Sequence, residues 1–270
     1  MCRHLAYLGP PLTLADCLLH QPHSLLHQSW APTDMRGGGT VNADGFGIGW
    51  LSGGSAEGGA GGRGEVSGGG VALRYRRDRP IWSDASLPAL ASSITSGAVL
   101  AAVRSATVGM PVTEAACAPF VQGRWLFSHN GVIDGWPGSV APLAGRLPAE
   151  ALMTLEAPTD SAFLWALVRD RLAEADPPAM ALTRVVTDVL AVAPRSRLNL
   201  LLTDGRHLAA TTVSHSLSVL QLQDSITVSS EPLDPGDSRW QPVPDLCVLE
   251  ATATHHSIRP LEPLLDPQPT

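Results

Sequence analysis

The chain of 270 residues contains no lysine: all eighteen basic residues are arginine, set against twenty-five acidic ones, for a formal net charge of −7. Only 16% of the residues are charged, and no basic run occurs. That balance excludes the electrostatic footprint of a nucleic-acid binder. No segment approaches the roughly 18 consecutive apolar residues of a membrane span. No apolar stretch of signal-peptide length precedes Pro10-Pro11 either, so a cytoplasmic location is expected. The four cysteines (Cys2, Cys17, Cys117, Cys247) are scattered and form no C-x-x-C. They read as reduced thiols, not as a disulfide framework or a zinc site, and neither metal nor cofactor is expected. The 44% of hydrophobic residues is enough for a sizeable core.

One cysteine stands apart by position. Cys2 directly follows Met1, and a small second residue permits removal of the initiator methionine, so the mature chain is expected to begin at Cys2. A terminal cysteine joins a thiol nucleophile to an α-amine. Such amines titrate near about 7.7–8.0 and free thiols near about 8.5, close enough for the amine to accept the thiol proton.

Apolar runs bounded by Gly, Pro and Asp organise the rest. Leu5–Leu8 reads as a buried strand ended by Gly9-Pro10-Pro11, and Leu12–His20 as a helix stopped by Pro22. Gly45–Leu51 reads as a glycine-rich strand open to close approach by a ligand or another backbone. Val71–Tyr75 resumes as its hairpin partner, and the Gly/Ser-rich 53–70 segment forms a flexible insertion between them. Val99–Val103 and Trp125–Phe127 read as buried strands. Asp160–Ala173 carries helical spacing with Thr159 or Asp160 at its N-cap, and a second helix spans Ala179–Val192. Asn199–Thr203 and His207–Thr212 flank Asp204-Gly205 as a hairpin. Leu217–Leu222 and Ile226–Ser229 add another pair. Strands, then helices, then strands predict a layered α+β domain over residues 2–257, with a Pro-rich tail over 258–270.

Four further segments complement an amino acid joined through its side-chain carbonyl. Arg104 ends an apolar strand and suits a clamp on an α-carboxylate. Asn130-Gly131 offers an amide and a backbone N–H for an oxyanion. Asp160 can hold an α-ammonium, with Cys2 attacking the γ-carbonyl. Asn42-Ala43-Asp44-Gly45 can support the site from behind. Each piece also has an ordinary alternative: a surface ion pair for Arg104, an Asn-Gly turn, a plain helix cap for Asp160, a polar turn at 42–45.

The set Cys2, Arg104-x-Ala106-Thr107-x-Gly109, His129-Asn130-Gly131 and Thr159-Asp160 resembles, in order, the class II glutamine amidotransferase type of N-terminal nucleophile hydrolase. The resemblance implies an αββα sandwich of two antiparallel sheets. It implies Cys2 as nucleophile with its own amine as base. It also implies Arg104 and Thr107 on the glutamyl carboxylate, Asn130 and Gly131 as the oxyanion hole, and Asp160 on the α-amine. Met1–Gly9, Gln28–Pro32, Asn42–Gly47, Val103–Pro111, Asn199-Leu200 and Ser230-Glu231-Pro232 are similar to the branch that hydrolyses γ-glutamyl-hercynylcysteine sulfoxide in ergothioneine biosynthesis. A small-molecule γ-glutamyl amide is thus the implied substrate. Many ammonia-transferring relatives carry His where Val108 stands, and no ammonia-using domain is expected within these 270 residues. The competing readings are a glutaminase that passes ammonia to a separate partner and a catalytically dead sandwich. His20, His23 and His27 have a spacing like that of metal ligands, but Pro22 breaks their helix, and a solvated loop is the expectation. Trp30 or Trp50 is a candidate for a cation–π contact with a trimethylammonium.

Overall fold

The computed structural model describes residues 2–36, 41–52 and 70–261. The segment 53–69, most of the expected insertion, lies outside the described residues, as do Met1, 37–40 and the end of the tail from 262. The chain opens with strand β1 (Arg3–Thr13), helices α1 (Leu14–Leu18) and α2 (Leu25–Gln28), and the hairpin strands β2 (Phe46–Ser52) and β3 (Val71–Arg77). Helix α3 (Leu87–Ser93), β4 (Thr95–Val103), β5 (Phe120–Gln122) and β6 (Trp125–Val132) follow. Next come the helices α4 (Ala141–Ala144), α5 (Ala149–Met153), α6 (Asp160–Ala173) and α7 (Pro178–Val192). The chain continues with β7 (Arg197–Thr203), β8 (Leu208–Thr212), β9 (Ser218–Gln221), β10 (Ile226–Ser229), β11 (Gln241–Pro242), β12 (Cys247–Thr252) and β13 (His255–Pro260).

The described strands form two antiparallel sheets, ordered β11-β9-β10-β1-β4-β2-β3 and β13-β12-β8-β7-β6-β5. Side-chain alternation turns each central strand two ways. In the first sheet Leu5 and Tyr7 face outward, with Phe46, Ile48 and Val99, onto Leu14, Leu18, Leu25 and Leu87 of the short helices. Ala6, Leu8 and Leu100 face inward, onto Leu126, Leu201, Leu208 and Leu249 of the second sheet. The second sheet repeats the device: Leu198, Leu200 and Leu202 pack against Phe163, Leu164, Val185 and Val189 of α6 and α7. Three apolar layers therefore separate four structural ones, the αββα sandwich expected from the sequence. Each fully buried Leu or Phe contributes about 1.5–3 kcal/mol to holding the layers together.

Two boundaries differ from the sequence reading. Strand β1 does not stop at Gly9-Pro10-Pro11. Its pairing with β4 shifts register between Leu8 and Leu12, and then resumes at Leu12↔Ser96. An irregularity is where a strand tolerates a residue that cannot donate to the ladder. Helix α1 is correspondingly shorter, because the Thr13 side chain caps it by accepting from Asp16 N. At the other end, Leu249↔Ile258, Val248↔Arg259 and Cys247↔Pro260 pair in β12–β13, so strand structure runs through Pro260, beyond the expected start of the tail.

The glycine-rich strand is now explained by a backbone. A Cβ on Gly47 would lie 2.1 Å from Ala118 O, and one on Gly45 would lie 2.3 Å from Cys117 Sγ. What comes close to this strand is the 117–118 segment.

Candidate active site

Cys2 sits at the head of β1, the strand flanked on both sides in the first sheet. Register fixes its neighbours. Arg3 lies opposite Val103, which brings Cys2 beside the turn that starts at Arg104. Its half-buried thiol donates to Ser105 O at 3.7 Å. The turn is held from behind: Arg104 N donates to Gly45 O at 2.8 Å, Asp44 N to Arg104 O at 3.0 Å, and Ala106 N to Asp44 Oδ2 at 2.8 Å. The 42–45 segment is thus a structural support for the 104–106 backbone, not a simple polar turn. The Arg104 guanidinium donates to Pro111 O at 2.8 Å, and no carboxylate pairs with it among the described residues. A cation so placed can receive an incoming carboxylate.

Asn130 and Gly131 lie within β6, in register with Asn199 and Leu198 of β7, and are not a hairpin turn. Asn130 is buried. Its Nδ2 makes one long bond, 3.4 Å to Ser230 Oγ, and its Oδ1 has no partner among the described residues. A primary amide has two donors, so one N–H remains to be given. Gly131 is obligatory for another reason: an added Cβ would lie 1.8 Å from Arg197 O.

Asp160 occupies the first turn of α6. The N-cap is Thr159, whose side chain accepts from Ala162 N. The Asp160 carboxylate is buried and accepts from Ile133 N at 3.1 Å and from Ser161 N at 2.8 Å. It is thereby tied to the strand end two residues after Gly131. Thr107 is exposed and forms, with Val108, Gly109 and Met110, one wall of an open cavity of about 500 Å³. Ile133, Trp136, Pro158 and Arg197 stand on the other wall. Among the expected site residues only Thr107 lines this cavity. Gly131 immediately precedes the lining residue Val132, and Asp160 follows the lining residue Pro158 by two positions.

The histidine spacing resolves differently from the expected solvated loop. His20 is exposed and pairs with Asp16. His23 is buried, with Nε2 2.6 Å from Glu231 Oε2 and Nδ1 3.0 Å from His27 Nδ1. Trp30 is exposed and packs edge-on against Trp82, whereas Trp50 is partly buried against the outer core of the first sheet.

Buried titratable groups surround the site. Burial, then the charges of His129, His215 and Arg3, hold the His4 pKa well below its usual 6.5. Burial and Arg197 bring His215 down to about 3. Burial alone would raise Glu231, but hydrogen bonds from His23 and Thr33 outweigh it and lower its pKa to about 2. Stability is therefore expected to fall with acid in two stages. Below the unfolded histidine pKa of 6.5, the unfolded chain takes up protons that folded His4 and His215 refuse. Each refusal removes about 1.4 kcal/mol per pH unit. The contribution of Glu231 is present above its unfolded pKa of 4.5 and is lost as pH falls toward about 2. Urea unfolding between about pH 7 and about pH 2 measures both stages, and a flat profile would contradict them.

Sequence reasoning missed Arg3, His23, Thr33, Ser230 and Glu231 as parts of one network around the N-terminus. Their signal was a charged residue opening a buried strand and another closing one.

A family model described as glutamine amidotransferases class-II matches residues 20–226. The gamma-glutamyl-hercynylcysteine sulfoxide hydrolase of Mycolicibacterium smegmatis is 40% identical over 261 residues, 97% of this chain and 100% of that protein. The protein of the same name from Mycobacterium tuberculosis is 36% identical, over 93% of each chain. Among solved structures, a glutamine aminotransferase class-II domain protein from Silicibacter pomeroyi superposes with a TM-score of 0.64 at 24% identity, over 97% of this chain and 100% of that one. The allosteric regulatory enzyme of purine biosynthesis gives 0.60 at 12% identity, over 97% of this chain and 49% of its own. These two likenesses concern the fold.

Proposed function

This chain belongs to the class II glutamine amidotransferases, and from that premise we propose that it is an amidohydrolase that releases glutamate from γ-glutamyl-hercynylcysteine sulfoxide. The observation that carries the reading is the full-length match to two hydrolases of that name, at 40% and 36% identity. In the proposed mechanism Arg104 and Thr107 hold the glutamyl α-carboxylate and Asp160 holds the α-ammonium. The Cys2 amine, free once Met1 is removed, takes the thiol proton. The thiolate attacks the γ-carbonyl carbon, and the oxyanion is stabilised by the Asn130 amide and the Gly131 N–H. The leaving amine takes the proton back and departs, leaving a thioester. Water then attacks the thioester, releases glutamate and restores the thiol. The cavity of about 500 Å³ beyond Thr107 supports a bulky leaving group, and Val108 is fully exposed at its edge. All four cysteines are unpaired thiols, which suits the cytoplasm as the site of action.

Side-by-side kinetics test the reading. The sulfoxide substrate is expected to exceed glutamine in kcat/KM by at least about tenfold, which corresponds to about 1.4 kcal/mol of differential transition-state binding. Equal or better kcat/KM for glutamine would overturn it in favour of a glutaminase. Intact-mass analysis of active protein that still carries Met1 would remove the amine from the mechanism.

A further inference from the structure

Arg3 and Glu231 are 228 residues apart and meet as a buried ion pair, Nε to Oε1 at 2.9 Å, with side chains 3% and 2% exposed. Both lie outside the span 20–226 matched by the family model. Arg3 does more than neutralise a carboxylate. Its Nη1 donates to Cys2 O at 3.0 Å, and its Nη2 donates to Asp34 O. Glu231 in turn is fixed from several sides: by Thr33 N at 2.8 Å, Thr33 Oγ1 at 2.6 Å, Asp34 N at 3.2 Å and His23 Nε2 at 2.6 Å. The preceding residue reaches the other sheet. Ser230 N donates to His4 O at 2.9 Å, and Ser230 Oγ accepts from His4 N at 3.0 Å and from Asn130 Nδ2 at 3.4 Å.

We propose that Arg3 and the Ser230-Glu231 dipeptide are positioning residues that hold the backbone of Cys2 in register with the Asn130 amide across the two sheets. The inference rests on the roles given above to Cys2 and Asn130. Its physical reason is that Cys2 precedes the first paired residue of β1, where a chain end frays by default. A terminal nucleophile that moves by an ångström loses the orientation from which much of its rate derives. The Arg3 guanidinium supplies the missing restraint. It grips the carbonyl of Cys2 itself and leaves the thiol and amine unencumbered. Ser230 ties the same strand to the oxyanion donor, so one dipeptide sets the distance between the two reacting partners.

The test uses the full chain and γ-glutamyl-hercynylcysteine sulfoxide. Glu231→Gln and Arg3→Lys are expected to lower kcat by about 10–100-fold while KM stays within about threefold, because orientation is lost and the glutamyl contacts are kept. The double variant Arg3→Met/Glu231→Gln separates positioning from folding. It leaves no unpaired buried charge, so its melting temperature is expected to recover toward that of the parent. Its kcat is expected to stay low, because Met cannot donate to Cys2 O. Recovery of kcat along with the melting temperature would overturn the proposal, as would folded single variants with parental kcat. If Glu231→Gln does not fold, Arg3→Lys and the double variant carry the test. Cys2→Ala, assayed alongside, keeps the two failures distinct. Its turnover at the parental rate would sink the nucleophile assignment. An inactive Cys2→Ala beside fully active Arg3 and Glu231 variants would sink only the positioning role.

Discussion

Cys2→Ala is expected to abolish turnover, by about 10⁴-fold or more in kcat, while leaving substrate binding within a fewfold of the parent. Both halves follow from where the groups sit. The thiol is the only part of Cys2 that forms a bond to the substrate in the proposed mechanism, and alanine has nothing to replace it. The groups proposed to hold the glutamyl head lie on other elements. Arg104 is on the turn after β4, braced through Gly45 and Asp44, and Asp160 is in the first turn of α6, braced against Ile133 N. None of those braces uses the thiol, whose hydrogen bond among the described residues is the 3.7 Å one to Ser105 O. Alanine also keeps the small second residue that allows Met1 to be removed, so the α-amine is preserved. Calorimetry with intact substrate then reads binding without turnover. Parental turnover in this variant would end the nucleophile assignment. A complete loss of binding would show that the thiol belongs to the ground-state site.

Sequence pattern found this site unevenly, for physical reasons. Local periodicity is set by neighbours along the chain, so the span of helix α6 was legible to the residue, while the choice of cap between Thr159 and Asp160 rests on the Thr159 side chain, which accepts from Ala162 N. The Asp204-Gly205 hairpin was equally plain, since β7 and β8 pair directly around it. The extent of β1 was not, because proline is a local signal to stop and the neighbouring strand overrode it after a shift of register. The glycines of β2 announced a close approach but could not name its partner, which is the backbone near Ala118, some seventy residues on. The Arg3–Glu231 pair was the least legible. Each residue alone reads as a charge at a strand end, and only the antiparallel pairing of β1 with β10 brings them together. The local elements therefore came through, while the network around the N-terminus depended on contacts that no periodicity encodes.

Asn130→Ala is expected to lower kcat by about 10²–10³ with little change in KM, the cost of one oxyanion donor. The geometry makes this an unusually clean substitution. Asn130 Nδ2 gives only a long bond to Ser230 Oγ, and that hydroxyl still accepts from His4 N at 3.0 Å when the amide is removed. The Asn130 Oδ1 has no partner among the described residues, so truncation strands no donor there. The fold should therefore lose little stability, and the rate effect can be read by itself. The neighbouring donor offers no such separation. A methyl group on Gly131 would lie 1.8 Å from Arg197 O and push β6 off β7, so Gly131→Ala is expected to fail as a folded protein before its N–H can be assessed. The oxyanion exists only near the transition state, so a group that stabilises it acts on kcat and not on the ground-state complex. If steady-state kinetics of Asn130→Ala show KM rising at constant kcat, the amide contacts the bound substrate instead, and the oxyanion role falls to the Gly131 N–H without it.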